Sequence, residues 1–441
     1  MKKAIILAIG LTPATALCST VNFTGSQKEV ITVKPQASTG LDDIYVIYDT
    51  DGVSANYTAT SQTVKWYRYS SLGGGYAEEI PGVTRNGNTY TLPALQGDMG
   101  YIIEDGTTRR YFWVVNYAAH RLDLQSIAVS GESDCATTIL DVVGNGDKIL
   151  YYSINGRQFE LDRQLSVSYH TLTWDADSEV YTQTRSSEEF AYLSSQLHVP
   201  ASLCDTEFTI EGDCFLSRWG EAQQLSTPSY STIAVSAETS ATQTARENDN
   251  EQKEEGTLLG GSAPAEIEFR AVATDAAIFT EWQMARDPEF DNISIRMNDP
   301  VTTYTFREQG TTYVRFIASN AAGSCDYVGP TYEVTIGESR LECPNAFSPG
   351  ASEGVNDIWK VSYKSIVSFE CHIFNRWGIK MKSFTDPADG WDGKYNGKLV
   401  PSSVYYYVIK ARGADGKEYN LKGDINIINY NGVKNNPSNN N

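Results

Sequence analysis

Histidine is scarce: four among 441 residues, at 120, 170, 198 and 372. The chain is therefore short of general bases and metal ligands before any motif is sought. Positive charge is short as well. Lys and Arg total 35 against 55 Asp and Glu, a net charge of −20. Such a chain repels phosphate backbones, which excludes a general nucleic-acid binder. Beyond the N-terminal leader, no stretch reaches the roughly 18 uninterrupted apolar residues that a membrane helix needs. G-x-S-x-G, H-E-x-x-H, P-loop and G-x-G-x-x-G patterns are absent. No C-x-x-C pair occurs, against a zinc ribbon or a thioredoxin-type site. Helical periodicity never runs long enough for a bundle. The expectation is a chain with no catalytic residues, no metal and no cofactor.

What is present reads as an exported all-β protein. Lys2 and Lys3 precede the apolar run Ala4–Leu11, and Ala14-Thr15-Ala16 fits a small-x-small cleavage site, so residues 1–16 are expected to be a signal peptide. The rival is a lipidated Cys18, but Leu17 stands where that reading wants a small residue. Hydrophobic residues at 41% and charged residues at 20% exclude disorder for the chain as a whole. The 27 Tyr, 15 Phe and 8 Trp favour strands. In an oxidising compartment, Cys135, Cys204, Cys214, Cys325, Cys343 and Cys371 form an even set of candidate staples, with more connectivities than sequence decides.

Short alternating runs broken by turn signals suggest tandem immunoglobulin-like β-sandwich modules, at about 100 residues each. The first is expected over 19–128. It carries the alternating run Thr63–Tyr69 around Trp66, and Gly97–Tyr101 resembles the approach to a tyrosine corner. The second, 129–226, carries Lys148–Gly156, a strand entering an Asn-Gly turn, and Cys204 and Cys214 flank a short stretch that allows a local pair. The third is expected over 227–338 and contains an acidic loop, 244–261. Its run Arg246–Glu255 has no apolar residue to bury, and it lacks the D-x-[DN]-x-[DN]-G order of a calcium loop, so it reads as solvated.

The remaining chemistry-bearing residues are isolated. Cys371 and His372 are strand neighbours whose side chains point to opposite faces, which rules out a thiolate–imidazole pair. His170 lies between Tyr169 and Thr171 with no adjacent acid.

Two segments resemble known families. Thr303–Val314, continuing through Ser319-Asn320-Ala321-Ala322-Gly323, is similar to a PKD-type module over 264–338, with Tyr313 and its alternating partners expected in the core and an Asn-x-x-Gly turn closing the strand. Across 340–430 the motifs are Cys343-Pro344-Asn345-Ala346-Phe347-Ser348-Pro349, then Gly354-Val355-Asn356-Asp357-Ile358-Trp359. Ile373-Phe374-Asn375-Arg376-Trp377-Gly378, Gly390-Trp391-Asp392-Gly393 and Val404-Tyr405-Tyr406-Tyr407-Val408-Ile409 follow. This order resembles the gliding motility-associated C-terminal domain, the type B cargo domain of the type IX secretion system. Gly350–Glu353 replaces its usual Asn-Gly-Asp loop, and Ser403 stands where Gly is common.

The resemblance implies that this β-sandwich domain as a whole is a sorting address, read by the outer-membrane type IX secretion machinery. From the residues, Asp392-Gly393 is a hairpin turn signal and Val404–Ile409 a dense strand, with Trp377 and Trp391 as apolar anchors. Arg376 can lie over an aromatic ring or pair with Asp357 or Asp392. Cys343 and Cys371 are the preferred pair, with Cys325–Cys343 as competitor. Residues 431–441 read as a disordered tail. The expected protein is a non-catalytic modular cell-surface or secreted protein, whose modules form a stalk or bind a surface protein or glycan. The alternative is an envelope-resident accessory component of the secretion or gliding apparatus.

Overall fold

A computed structural model describes residues 21–253, 256, 258–350 and 354–428. The expected signal peptide 1–16, Cys18 and the tail 431–441 lie outside the described residues. Strands dominate, and the one α-helix among the described residues is the five-residue Cys214–Arg218. Among the described residues no helix is long and apolar enough to cross a membrane. The chain divides into two units, the first running to Leu172 and resuming over Gln183–Thr232, the second taking Thr173–Thr182 and everything from Ile233.

The first unit holds two β-sandwich modules. In the first module, a four-stranded sheet (Val21–Thr24, Ser54–Thr58, Thr89–Leu92, Thr84–Asn86) faces a six-stranded one (Ile31–Val33, Asp43–Ile47, Thr108–Asn116, Met99–Asp105, Val64–Tyr69, Glu78–Glu79). Trp66, Tyr101, Phe112 and Val114 fill the space between them. The Tyr101 hydroxyl donates to the Gln96 carbonyl at 2.9 Å and accepts from the Gln96 amide at 2.8 Å, a tyrosine corner. Beside it, Asp105 is buried and accepts from Thr60 N and Oγ1, Ser61 N and the Tyr57 hydroxyl.

The centre of the six-stranded sheet is buried on both faces, because Ile44–Ile47 and Phe112–Val115 are continuous rather than alternating apolar runs. Tyr45, Ile47, Phe112 and Val114 point into the first core. Ile44, Val46, Trp113 and Val115 point the other way, into a core shared with Leu140, Leu165, Val167, Phe208 and Leu216 of the second module. Strand Asp123–Val129 pairs with Thr137–Asn145, so the second module starts ahead of the expected boundary at 129.

In the second unit, the third module packs Ala237–Gln243, Ala265–Ala273 and Val301–Phe306 against a second sheet built on Gly310–Ser319. Its core holds Ile267, Phe269, Trp282, Val314 and Phe316. The expected inward role of Tyr313 is off by one residue. Thr312, Val314, Phe316 and Ala318 are buried, and Tyr313 takes the opposite face, because three apolar residues of one parity outweigh a single Tyr whose hydroxyl tolerates water. The acidic loop joins two strands of this module, Ala237–Gln243 and Leu259–Gly261, as its expected place within 227–338 requires, but it is not simply solvated: residues 246–252 lie hydrogen-bonded against the C-terminal domain.

The C-terminal domain is a five-stranded sheet ordered Ala346–Phe347, Glu418–Ile427, Val404–Gly413, Ile366–Phe374, Lys380–Phe384, with three two-stranded sheets beside it. Trp359, Trp391, Ile373, Tyr405 and Ile409 lie in its core.

Candidate functional site

The motif residues of 343–407 come together in this one domain, and most act on its backbone. The Pro344 carbonyl accepts the Trp359 indole N–H at 2.7 Å. The Asn345 carbonyl accepts both the backbone and side-chain N–H groups of Asn426, at 2.9 and 3.0 Å, and so registers the short strand Ala346–Phe347 beside Glu418–Ile427. Asn356, at φ 53°, presents its carbonyl to the Ser348 amide at 2.9 Å. Asp357 closes the loop between the first two motifs, its carboxylate accepting from the Gly350 and Gly354 amides, both at 2.7 Å. Of the residues that replace the usual Asn-Gly-Asp loop, 351–353 lie outside the described residues.

Asn375 shapes the hairpin tip. Its side-chain oxygen accepts from the Trp377 and Ile379 amides, each at 3.0 Å, and Gly378 supplies the φ of 78° that the tip requires. Trp391 is fully buried, its ring 5.6 Å from Phe347 and 5.0 Å from Tyr405, and its N–H donates to the Lys394 carbonyl. Asp392 accepts from the amide and ammonium of Lys394. A side chain at Gly393 would meet Pro349 at 2.9 Å and face a φ of 73°, which explains the glycine. The Tyr405 hydroxyl donates to the Pro401 carbonyl at 3.0 Å. The Tyr407 ring packs tilted against Trp359 at 5.4 Å, and burial with the neighbouring Cys343 pushes its hydroxyl up to about 12.

One expectation is corrected here. Trp377 is not an anchor: it is 71% exposed at the hairpin tip, while Trp359, outside the expected site residues, takes the buried place. Of the two arrangements expected for Arg376, the aromatic one is found, its guanidinium lying over the Trp377 ring at 4.4 Å. The strand Val404–Gly413 adds exposed Val404, Tyr406 and Val408 on its outer face.

The expected disulfides do not form either. Cys204, Cys214, Cys343 and Cys371 are free thiols, and Cys135 and Cys325 are the disulfide-bonded cysteines. Cys204 lies against Ser202 and Gln183, whereas Cys214 opens the helix and faces the Asp162 carbonyl, so the turn between them does not join them. Cys343 and Cys371 share the surroundings of Tyr407 without bonding, and burial pushes the Cys371 thiol up to about 12. The competing Cys325–Cys343 pair fails because Cys343 is free. His372 pairs with Glu370 at 3.0 Å on the face opposite the buried Cys371, and His170 is exposed. Among the described residues no cluster of His, Cys, Asp and Glu is fit to hold a metal ion.

Three comparisons bear on this geometry. Residues 341–427 match the model of the type IX secretion signal domain, and residues 127–227 match that of the fibronectin type III domain. Comparison with curated proteins returns no match. Similar solved structures include a tetra-tandem repeat from the extending region of a large adhesion protein (12% identity, 87% of this chain and 98% of that one, TM-score 0.22). Another comprises three N-terminal domains of the highly immunogenic outer capsid protein of bacteriophage RB49 (9% identity, 70% and 99%, TM-score 0.22). The chain is thus modular and nearly all β, and it carries a type IX secretion signal domain at 341–427, which implies export to the cell surface or beyond.

Proposed function

We propose that this is a non-catalytic exported protein displayed on or released from the cell surface, and that its sorting domain is read by the outer-membrane type IX secretion machinery as a folded object. One observation carries the reading. The motif residues of the matched domain are committed to carbonyl contacts, loop clamps and core packing, so they build a shape rather than a reaction centre. Arg376 and Trp377 do neither. They stand exposed on the hairpin tip and, with the exposed Val404, Tyr406 and Val408 of the strand face, are motif residues offered to the machinery. The modules ahead serve as stalk or as binding surface for a surface protein or glycan. Deleting 340–441 is expected to leave the remainder in the periplasm, read by fractionation and immunodetection on intact cells. Surface display of the truncated chain at the normal level would refute the sorting role.

A further inference from the structure

Residues 246–252 belong by connectivity to the third module, yet most of their hydrogen bonds go to the sorting domain. The segment is Arg246-Glu247-Asn248-Asp249-Asn250-Glu251-Gln252, with no apolar side chain to drive its docking. It is held by polar groups instead. The Asn250 side-chain Nδ2 donates to the carbonyls of Val361 and Pro387, both at 2.8 Å. Asn248 donates to the Tyr363 hydroxyl at 2.9 Å. The Tyr363 amide donates to the Asn250 carbonyl at 3.1 Å, and the Gln252 amide returns a bond to the Tyr363 carbonyl at 2.7 Å, a parallel bridge. Glu251 is fully buried beneath, neutralised by Arg246 at 2.6 Å, and the same guanidinium donates to the Ser262 carbonyl at 3.0 Å.

Among the described residues of its own domain, the strand so covered, Ser362–Lys364, has only Arg340–Glu342 as a partner. Its other edge, at Tyr363, is completed by the strap. An uncovered edge of this kind leaves backbone donors and acceptors unpaired and invites pairing with foreign strands. The matched secretion signal starts at 341, so the partner of this edge lies well outside it. A second tie follows the same logic, since the Ser365 amide donates to the Ser262 hydroxyl and the Ala263 amide to the Ser365 hydroxyl. Both ends of the strap are set by third-module strands, Ala237–Gln243 in one sheet and Leu259–Gly261 in the other. The strap is therefore positioned only when both sheets have formed.

We propose that residues 246–252 are part of the export address: the sorting domain reaches its export-competent form with the strap seated, which makes export conditional on folding of the module ahead. This rests on the export reading above and deepens it, by extending the address across a domain boundary.

The test uses the full chain in a host with a type IX machinery, comparing Asn248→Ala/Asn250→Ala with the single Asn250→Ala and with Glu247→Ala, an exposed neighbour with no assigned contact. Amide exchange of purified protein reports whether residues 360–364 are protected, and surface fraction reports export. The double variant is expected to lose that protection and to fall about tenfold in surface fraction, the shift that losing a few such bonds produces. The single variant should fall less, and Glu247→Ala should match the parent. Surface fraction at the parental level in a variant whose 360–364 amides exchange freely would overturn the proposal. If the double variant unfolds as a whole, the single variant decides by the same two readouts. If the parent chain itself is displayed no better than a chain lacking 340–441, the export reading fails first and this inference fails with it.

Discussion

In the first unit, Trp113 and Val115 of one module share an apolar core with Leu165 and Val167 of the next. In the second unit, the third module reaches the sorting domain chiefly through amides, carbonyls and hydroxyls, with Val367 and Ala414 as the sorting domain's apolar contribution to its core. The two boundaries differ in kind. Apolar burial scales with area and is indifferent to direction, so it makes two modules one cooperative body. Hydrogen bonds exchanged with water contribute about 1 kcal/mol each and only in one geometry, so a polar boundary is specific yet releasable. A stalk benefits from the first, and an address that reports on folding benefits from the second.

The largest expected effect breaks the first boundary. Arg163 and Asp213 form a fully buried pair at 2.8 Å, with the guanidinium also donating to the carbonyls of Asp147 and His120. Asp213 further caps the helix Cys214–Arg218 through the Leu216 amide and accepts the Tyr117 hydroxyl at 3.0 Å. Asp213→Ala leaves the guanidinium buried without its counter-charge, and is expected to cost about 3–5 kcal/mol. Urea unfolding of the full chain checks it. A loss below about 1 kcal/mol would mean that the apolar core alone fuses these modules.

Next is a pair of tryptophans within the sorting domain. Trp391→Ala removes a fully buried ring packed on Phe347 and Tyr405, at an expected cost of about 3–5 kcal/mol. Trp377→Ala, at the exposed tip, should stay within about 0.5 kcal/mol in the same measurement. Export should fall in both, for opposite reasons: one loses the shape and the other loses the tip. Normal export of a stable Trp377→Ala chain would remove the tip from the address.

How much of this was legible in the sequence follows the same division. Trp66, Trp391 and the Tyr405 strand announce a β core because aromatic and β-branched runs alternate with turns. Phe112–Val115 also carried its signal, since four apolar residues without alternation mean burial on both faces, and that is what fuses the first two modules. The exposure of Trp377 was not legible, because hydrophobicity does not say which of two tryptophans falls on a tip shaped by the Asn375 side chain. The strap was least legible. A run of Arg, Glu, Asn and Asp reads as solvated unless one knows that Tyr363 and the Val361 carbonyl wait at a strand edge more than a hundred residues away.

A smaller effect separates the units by pH. Burial works against the charged form of Asp105, but four donors outweigh it and hold the carboxyl down at about 2, against an ordinary value of 3.8. A depressed carboxyl stabilises the fold fully above its unfolded value and loses that contribution as pH falls toward the folded one. Unfolding free energy of the first unit should therefore drop by about 2 kcal/mol between roughly pH 4.5 and 2. In Asp105→Asn that component should vanish. An unchanged acid limb would show that Asp105 is not its source.

The smallest effect tests whether the second boundary is polar without being ionic. Lys360 reaches Asp249 of the strap at 2.7 Å, and its ammonium holds the Asp249 carboxyl below the usual range. Asp249 is largely exposed, however, so salt and solvent screen this pair. The amide contacts of Asn248 and Asn250 are uncharged and unaffected by screening. Lys360→Ala is expected to cost less than about 0.5 kcal/mol, and the parent should lose no more than that between low salt and 1 M NaCl. Exchange protection of the Tyr363 amide should survive both changes. Should it collapse in high salt, the strap would be held by charge, and the contrast between an apolar boundary and a hydrogen-bonded one would become a contrast between an apolar boundary and an electrostatic one.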